Sequence, residues 1–258
     1  MSKRTFQWFH FGVLTGLGVL GVVAVFPFVL AAFAEKLAKI SVPLPMLFAL
    51  QVLQGAAFIA GATALGLFLS RKVGLSLPLL DALEVRQGAG AVFKRILPMA
   101  LLGGGIAFVI VLLVQPVFKS FLPASLTQSR PHIAAWKGLL ASLYGGIDEE
   151  VLMRLFLMSL IAWLLALKWH SANGVPRKGV LLAANLVAAL LFGAGHLPGV
   201  ASVTTLTPAI IVMVVTLNAA GGVIFGYLYA LRGLEAAMIG HLSADILLHF
   251  VRPIVSGS

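Results

Sequence analysis

Long apolar runs alternate with short polar connections along the whole chain. The runs fall at about 8–33, 44–69, 96–117, 138–167, 180–196, 206–230 and 234–251. Crossing a hydrocarbon layer takes roughly 20 residues of helix, so seven spans are predicted. The fifth and the last are short, which suits a different tilt or a partly re-entrant path. The fold class expected is all-α, a polytopic transmembrane helical bundle of about seven spans, eight at most. The first run opens on Lys3 and Arg4 and holds Ala32-Phe33-Ala34, which looks like a signal-peptide cleavage site. It is far longer than the ~7–15 apolar residues of a signal peptide, so it reads as an uncleaved anchor. Residues 71–95 are too polar to span. Leu79, Leu80 and Leu83 interleaved with Asp81, Glu84, Arg86, Lys94 and Arg95 predict a connector helix at the membrane surface.

Composition agrees with this pattern. Of 258 residues, 60% are hydrophobic and 10% charged, against about 25% charged in soluble domains. With no cysteine, disulfide scaffolds, thiol chemistry and Cys-ligated zinc are excluded. The net charge of +10 does not indicate nucleic acid, because Lys and Arg sit at the ends of the apolar runs, where they set topology. One side of the predicted bundle takes Lys3, Arg4, Arg71, Lys72, Arg86, Lys94, Arg95, Lys168, Arg177, Lys178 and Arg232. The other takes Lys36, Lys39, Lys119, Arg130, Lys137 and Arg252. This bias predicts a cytoplasmic amino terminus.

The acids change the picture more. Asp148, Glu149, Glu150 and Asp245, half of all the acidic residues, lie inside apolar runs, where ionisable groups are costly and usually functional. On a helix Glu150 and Arg154 are four apart and share a face, which suits an ion pair. Glu149 lies about 100° around the helix from Glu150 and about 140° from Arg154. It is therefore the carboxylate left free to take a proton from water. A purely structural ion pair would leave Asp148 and Glu149 without a role.

His196 precedes Pro198 and Gly199, which end the fifth run. An ordinary cap of the last helical turn is one reading of it. Asn185, about three turns earlier, continues a polar stripe on that face. His241 and Asp245 are four apart on the last span, a spacing at which a carboxylate can orient an imidazole. A hydrogen-bonded clasp between helices is the structural alternative. His249, next to Arg252 and Pro253, reads as interfacial. Asn218, Gly222 and Gly226 form a small-residue face suited to close helix packing. Taken together, the acids and histidines fit hydrolysis by an activated water, or a proton or metal path.

Several membrane protease classes are absent: there is no His-Glu-x-x-His, no Gly-x-Ser-Gly and no Gly-x-Gly-Asp. What the chain does hold is Glu149-Glu150-x-x-x-Arg154, Phe192-x-x-x-His196 and His241-x-x-x-Asp245, in that order. This resembles the three motifs of the CPBP family, the CAAX prenyl proteases and bacteriocin-processing or immunity (Abi) proteins. The resemblance covers about 137–251. It divides the chain into helices without motifs at 1–136, a protease-like core at 137–251 and a short tail at 252–258.

The resemblance implies an intramembrane endopeptidase in a bacterial or archaeal cell membrane, acting on a membrane-associated peptide or protein. In that family's terms Glu149 and His196 would hold and activate the water. His241 and Asp245 would stabilise the oxyanion, and Glu150 with Arg154 would brace the fourth span. An anionic Asp245 cannot donate to an oxyanion, so orienting His241 is the role that suits it. Glu149, His196 and His241 could furnish three ligands to a zinc ion; a metal-free glutamate mechanism is the other option. A non-catalytic immunity or scaffold protein of the same family is the alternative function. A small ion or proton transporter is a third, weakened by the lack of an inverted repeat.

Overall fold

The computed structural model describes residues 6–122, 133–169 and 176–256. Lys3, Arg4 and Arg130, which contribute to the predicted orientation, lie outside the described residues, as does the side chain of Lys119. The described secondary structure is helical. In chain order the helices are α1 (Trp8–Ala32), a one-turn α2 (Ala34–Leu37), α3 (Leu44–Lys72), the short α4 (Pro78–Glu84) and α5 (Ala89–Val114). A second group follows: α6 (135–166), α7 (Lys178–Gly195), the short α8 (Leu197–Ala201), α9 (Pro208–Arg232) and α10 (Leu234–Ile246), which runs on in helical turns to Ser256.

Among the described residues six helical segments are long and apolar enough to cross a membrane. The seventh predicted span is α6, whose 32 residues hold three acids and two basic residues. Large apolar side chains such as Leu53, Leu113 and Leu102 stand on the outside of the bundle, which is the surface of a chain solvated by lipid rather than water. This is an all-α integral membrane protein.

Proline and glycine set the ends of the elements. Pro208 starts α9 behind Thr207, whose hydroxyl accepts from the Ile210 amide at 3.3 Å. Gly233, at φ +96°, turns the chain from α9 directly into α10 in a conformation that side chains disfavour. That turn lies against Pro78 at the start of α4.

The predicted surface connector is shorter and more deeply tied than its sequence suggests. Only Pro78–Glu84 form its helix, and Lys94 and Arg95 already belong to α5. The first amides of α4, at Leu79 and Leu80, donate to Glu235 Oε1 of α10 at 3.0 and 2.9 Å. A carboxylate thus caps a helix start through a distant partner. From α1, the fully buried His10 reaches Asp81 at 2.9 Å and Glu84 at 3.4 Å. The connector pins the first and last spans together on one face of the bundle.

These ties define two faces. The first holds the start of α1, α4, the end of α6, the start of α7 and the α9–α10 turn. The second holds α2, the end of α5, the start of α6, α8 and the end of α10. There Arg252 donates to Gln115 at 3.0 Å.

Candidate functional site

The site is built where α6, α7, α9 and α10 meet, and α6 is irregular there. Between Tyr144 and Met158 its backbone winds in π turns, interrupted at Glu150. Such wide turns are uncommon and recur at functional sites. Gly145 and Gly146 begin this stretch and lie against α10. A Cβ at Gly145 would strike the Asp245 carboxylate, and one at Gly146 would come to 2.7 Å of Leu242. Small residues here let α6 approach α10 closely enough for their polar side chains to meet.

Glu150 and Arg154 form the expected ion pair, Oε1 to Nη1 at 3.1 Å, with both side chains sealed from solvent. Arg154 also donates through Nη2 to the Gly222 carbonyl of α9 at 3.0 Å. Its guanidinium lies 4.8 Å from the Phe192 ring and 5.7 Å from that of Phe225, a cation–π setting that helps a buried cation. The second partner of Glu150 is His241, whose Nδ1 lies 2.7 Å from the same Oε1.

This overturns the role expected for Asp245. Its Oδ2 is 3.7 Å from His241 Nε2, beyond hydrogen-bond reach, so the carboxylate that orients His241 is Glu150. The reason is direction: Nδ1 faces across to α6, while the neighbour four residues on stands near the other ring nitrogen. Phe225 stacks on His241 with ring centres 4.5 Å apart, and Phe192 meets it edge-on at 5.7 Å. With its ring fixed on three sides, His241 directs Nε2 between Glu149, at 3.8 Å, and Asp245.

His196 is held differently. At the end of α7 the backbone tightens, and the His196 amide donates to Gly193 at 3.2 Å rather than to Phe192. That leaves the Phe192 carbonyl without its helical donor, and His196 Nδ1 takes the place at 2.8 Å. Donation from Nδ1 puts the lone pair on Nε2. The four-residue spacing from Phe192 to His196 therefore sets the tautomer of a histidine at a helix end, and the Phe192 ring packs edge-on against it at 4.8 Å.

Glu149 is the carboxylate left over. Its side chain is 23% exposed where that of Glu150 is wholly buried. It lines a cavity of about 950 Å³ together with His196, Tyr144 and Asp148. Both histidines lie within electrostatic reach of it. Most of the remaining wall comes from α1 and α3, helices that carry no motif: Val22, Phe26, Leu47, Phe58 and their neighbours, with Gln51 and Gln54 among them. The sequence signal for these two was available, since amides three apart in an apolar run are unusual. Phe225 and the Gly222 carbonyl had no comparable signal.

The remaining sequence candidates take structural places. Asn185 donates to the Val223 carbonyl at 2.9 Å and fills the space that Gly226 leaves open. The Asn218 amide returns to Val214 of its own helix at 2.8 Å, so the small-residue face of α9 is a packing face. His249 is exposed near the end of α10. Asp148 is fully buried against α1, where a Cβ on Gly21 would strike it, and both its oxygens lack a hydrogen-bond partner.

The suggested zinc set of Glu149, His196 and His241 does not fit this geometry. Ligands about 2.0–2.1 Å from a tetrahedral zinc stand roughly 3.3 Å apart, and Glu149 and His241 are at 3.8 Å. Among the described residues no three His, Asp or Glu side chains gather to hold a metal.

The fold and site together describe a helical membrane protein in which Glu149 and His196 line a cavity within the bundle, with His241 3.8 Å from Glu149 and outside the cavity lining. Residues 131–247 match the family model of the type II CAAX prenyl endopeptidases, Rce1-like. No curated protein and no solved structure matches the chain.

Proposed function

We propose that the protein is an intramembrane endopeptidase that hydrolyses a peptide bond with a water activated by Glu149 and His196. The observation that carries this reading is the division of labour between adjacent glutamates. Glu150 is consumed by Arg154 and His241, whereas Glu149 opens with His196 onto a substrate-sized cavity.

In the proposed reaction, the water donates one hydrogen bond to His196 Nε2 and gives its other proton to Glu149. Its oxygen attacks the scissile carbonyl carbon. A protonated His241 donates Nδ1–H to Glu150 and Nε2–H toward the carbonyl oxygen as that oxygen becomes anionic, the preorganised stabilisation such a step needs. Collapse of the tetrahedral intermediate breaks the C–N bond, and Glu149 returns its proton to the leaving amine. Asp245, beside Nε2, keeps the cation in place without donating itself. Arg154, Phe192 and Phe225 hold the acid–base groups but do not touch the reacting atoms. The motif-free helices α1 and α3 supply the apolar wall against which the substrate lies.

Cleavage of a membrane-associated peptide by the purified protein in detergent or proteoliposomes tests the proposal. Glu149→Gln and His196→Ala are each expected to lower the rate by about 10²–10⁴-fold, the usual contribution of general acid–base groups, with insertion and folding intact. Cleavage retained by both variants overturns it.

A further inference from the structure

At the first face the end of α6 and the start of α7 leave a groove of about 290 Å³ between them. Leu165 and Trp169 form one wall. Gly179, Val180 and Ala183 of α7 form the other, with Arg177 at the membrane-surface end. Gly179 and Ala183 are four apart and share a helix face, so two small residues leave the space that larger side chains would fill. A Cβ at Gly179 would meet nothing within 4 Å. This groove is separate from the cavity of the site, which draws on α7 only from Leu191 onward.

The rim of the groove is basic. Lys168 and Lys178 adjoin its lining residues in the chain and are exposed. The Lys168 ammonium stands 5.4 Å from the ring centre of Trp169, which is itself half-exposed. Neither lysine has a carboxylate to pair with. From Val151 to Leu234 the chain holds no Asp or Glu. All eight acids lie elsewhere: Glu35 in α2 on the second face, Asp81 and Glu84 beside His10, Glu235 against α4, and four at the site and its cavity.

An apolar groove with a tryptophan and unpaired lysines at its surface end has the plan of a phospholipid, chain below and phosphate above. Trp and Lys take such places at the headgroup level of a bilayer, and basic pockets between spans bind anionic head groups. Water or salt ions would satisfy the lysines but leave the apolar walls uncovered. A zwitterionic lipid would bring a cation of its own toward them. We infer that the groove holds one phospholipid of net negative charge. Its phosphate lies at Lys168 and Lys178, and the upper part of one acyl chain lies against Leu165, Val180 and Ala183. The lipid thereby bridges α6 and α7, the helices that carry Glu149 and His196. This inference does not rest on the protease reading.

Native mass spectrometry of the full chain, purified in a neutral detergent, tests this with phosphatidylglycerol and phosphatidylcholine of identical acyl chains. The readout is the dissociation constant of the first bound lipid. The parent is expected to prefer phosphatidylglycerol by about 25-fold, from two near-surface charges at about fivefold each. Lys168→Gln combined with Lys178→Gln should remove most of that preference. Ala183→Phe keeps every charge but fills the groove, and it should lose the tight first site as well. Gly179→Leu fills the same groove one turn higher and takes its place if Ala183→Phe does not elute as a single species. A charge-matched control on the second face, Lys36→Gln combined with Lys39→Gln, should bind as the parent does. Equal affinity of the parent for the two lipids overturns the inference. An equal loss in the control also overturns it, since net charge alone would then account for binding. If the filled variants bind as the parent does while inorganic phosphate displaces the lipid, the lysines hold an ion only, and the groove is not a lipid site.

Discussion

The two halves of the chain bury polar groups by opposite means. In the second half, Glu150, Arg154, His241 and the Gly222 carbonyl form one connected set, and the aromatic faces of Phe192 and Phe225 complete it. In the first half the wall formed by α1 and α3 is almost wholly apolar, and its amides are few. Where the halves meet, Asp148 presses on Gly21 of α1 with neither oxygen satisfied. Within the network Glu150 Oε2 and Arg154 Nη1 also lack a hydrogen-bond partner, but each belongs to a group that is otherwise paired, and in low dielectric a wholly unpaired group is the more expensive. The comparison teaches that the motif half fixes the geometry of the reacting groups, while the motif-free half shapes the space into which they point.

Breaking the network should have the largest effect. Arg154→Met leaves the Glu150 carboxylate buried without its cation, and removing one partner of a buried pair typically costs about 3–5 kcal/mol. Chemical unfolding in detergent micelles is expected to show a loss of that size, with cleavage abolished. Glu149→Gln, one residue from the same network, is the sharpest control. Glu149 makes no hydrogen bond within 3.5 Å, its nearest charged partner being His241 at 3.8 Å. Its stability should stay within about 0.5 kcal/mol of the parent, as for substitutions away from buried networks. Equal losses in the two variants would erase the distinction between the glutamates.

The contact between the halves comes next. Gly21→Val places methyl groups where the Asp148 carboxylate lies, and overpacking of this kind costs about 1–3 kcal/mol. Because α1 must shift away from α6, the cavity changes shape as well. The expected result is reduced thermal stability together with a raised KM. A loss of stability with unchanged kinetics would show that α1 does not shape the substrate site.

Much of this arrangement was legible in the chain, for identifiable reasons. Apolar runs report spans because lipid admits little else, and the Glu150–Arg154 pair follows from helical spacing alone. The link from Glu150 to His241 was hidden because it joins residues 91 apart through the approach of two helices. The π turns of α6 have no residue signature, so an angle calculated for a regular helix described Glu149 only approximately. The cavity wall was invisible for a third reason: a leucine that faces lipid and one that faces a cavity look the same in sequence. Even Pro78–Glu84, recognisable as a surface connector, gave no sign of its cap from Glu235.

Phe225 separates positioning from chemistry within the network. It stacks on His241 at 17° between ring planes and never approaches the water or the carbonyl carbon in the proposed reaction. Phe225→Leu keeps most of the buried apolar volume and removes the flat face. An aromatic pair is worth about 0.5–1.5 kcal/mol beyond its buried area, so stability should fall by roughly that amount. The ring of His241 would keep its hydrogen bond to Glu150 but gain freedom to tilt, and Nε2 would no longer be held between Glu149 and Asp245. The rate of the chemical step should then fall with little change in KM, because the substrate wall on α1 and α3 is untouched. Phe225→Tyr, which keeps the stacking face, should restore most of the rate. If Phe225→Leu instead raises KM and leaves the rate alone, the residue belongs with the cavity wall, and the border between the two regions lies inside α9.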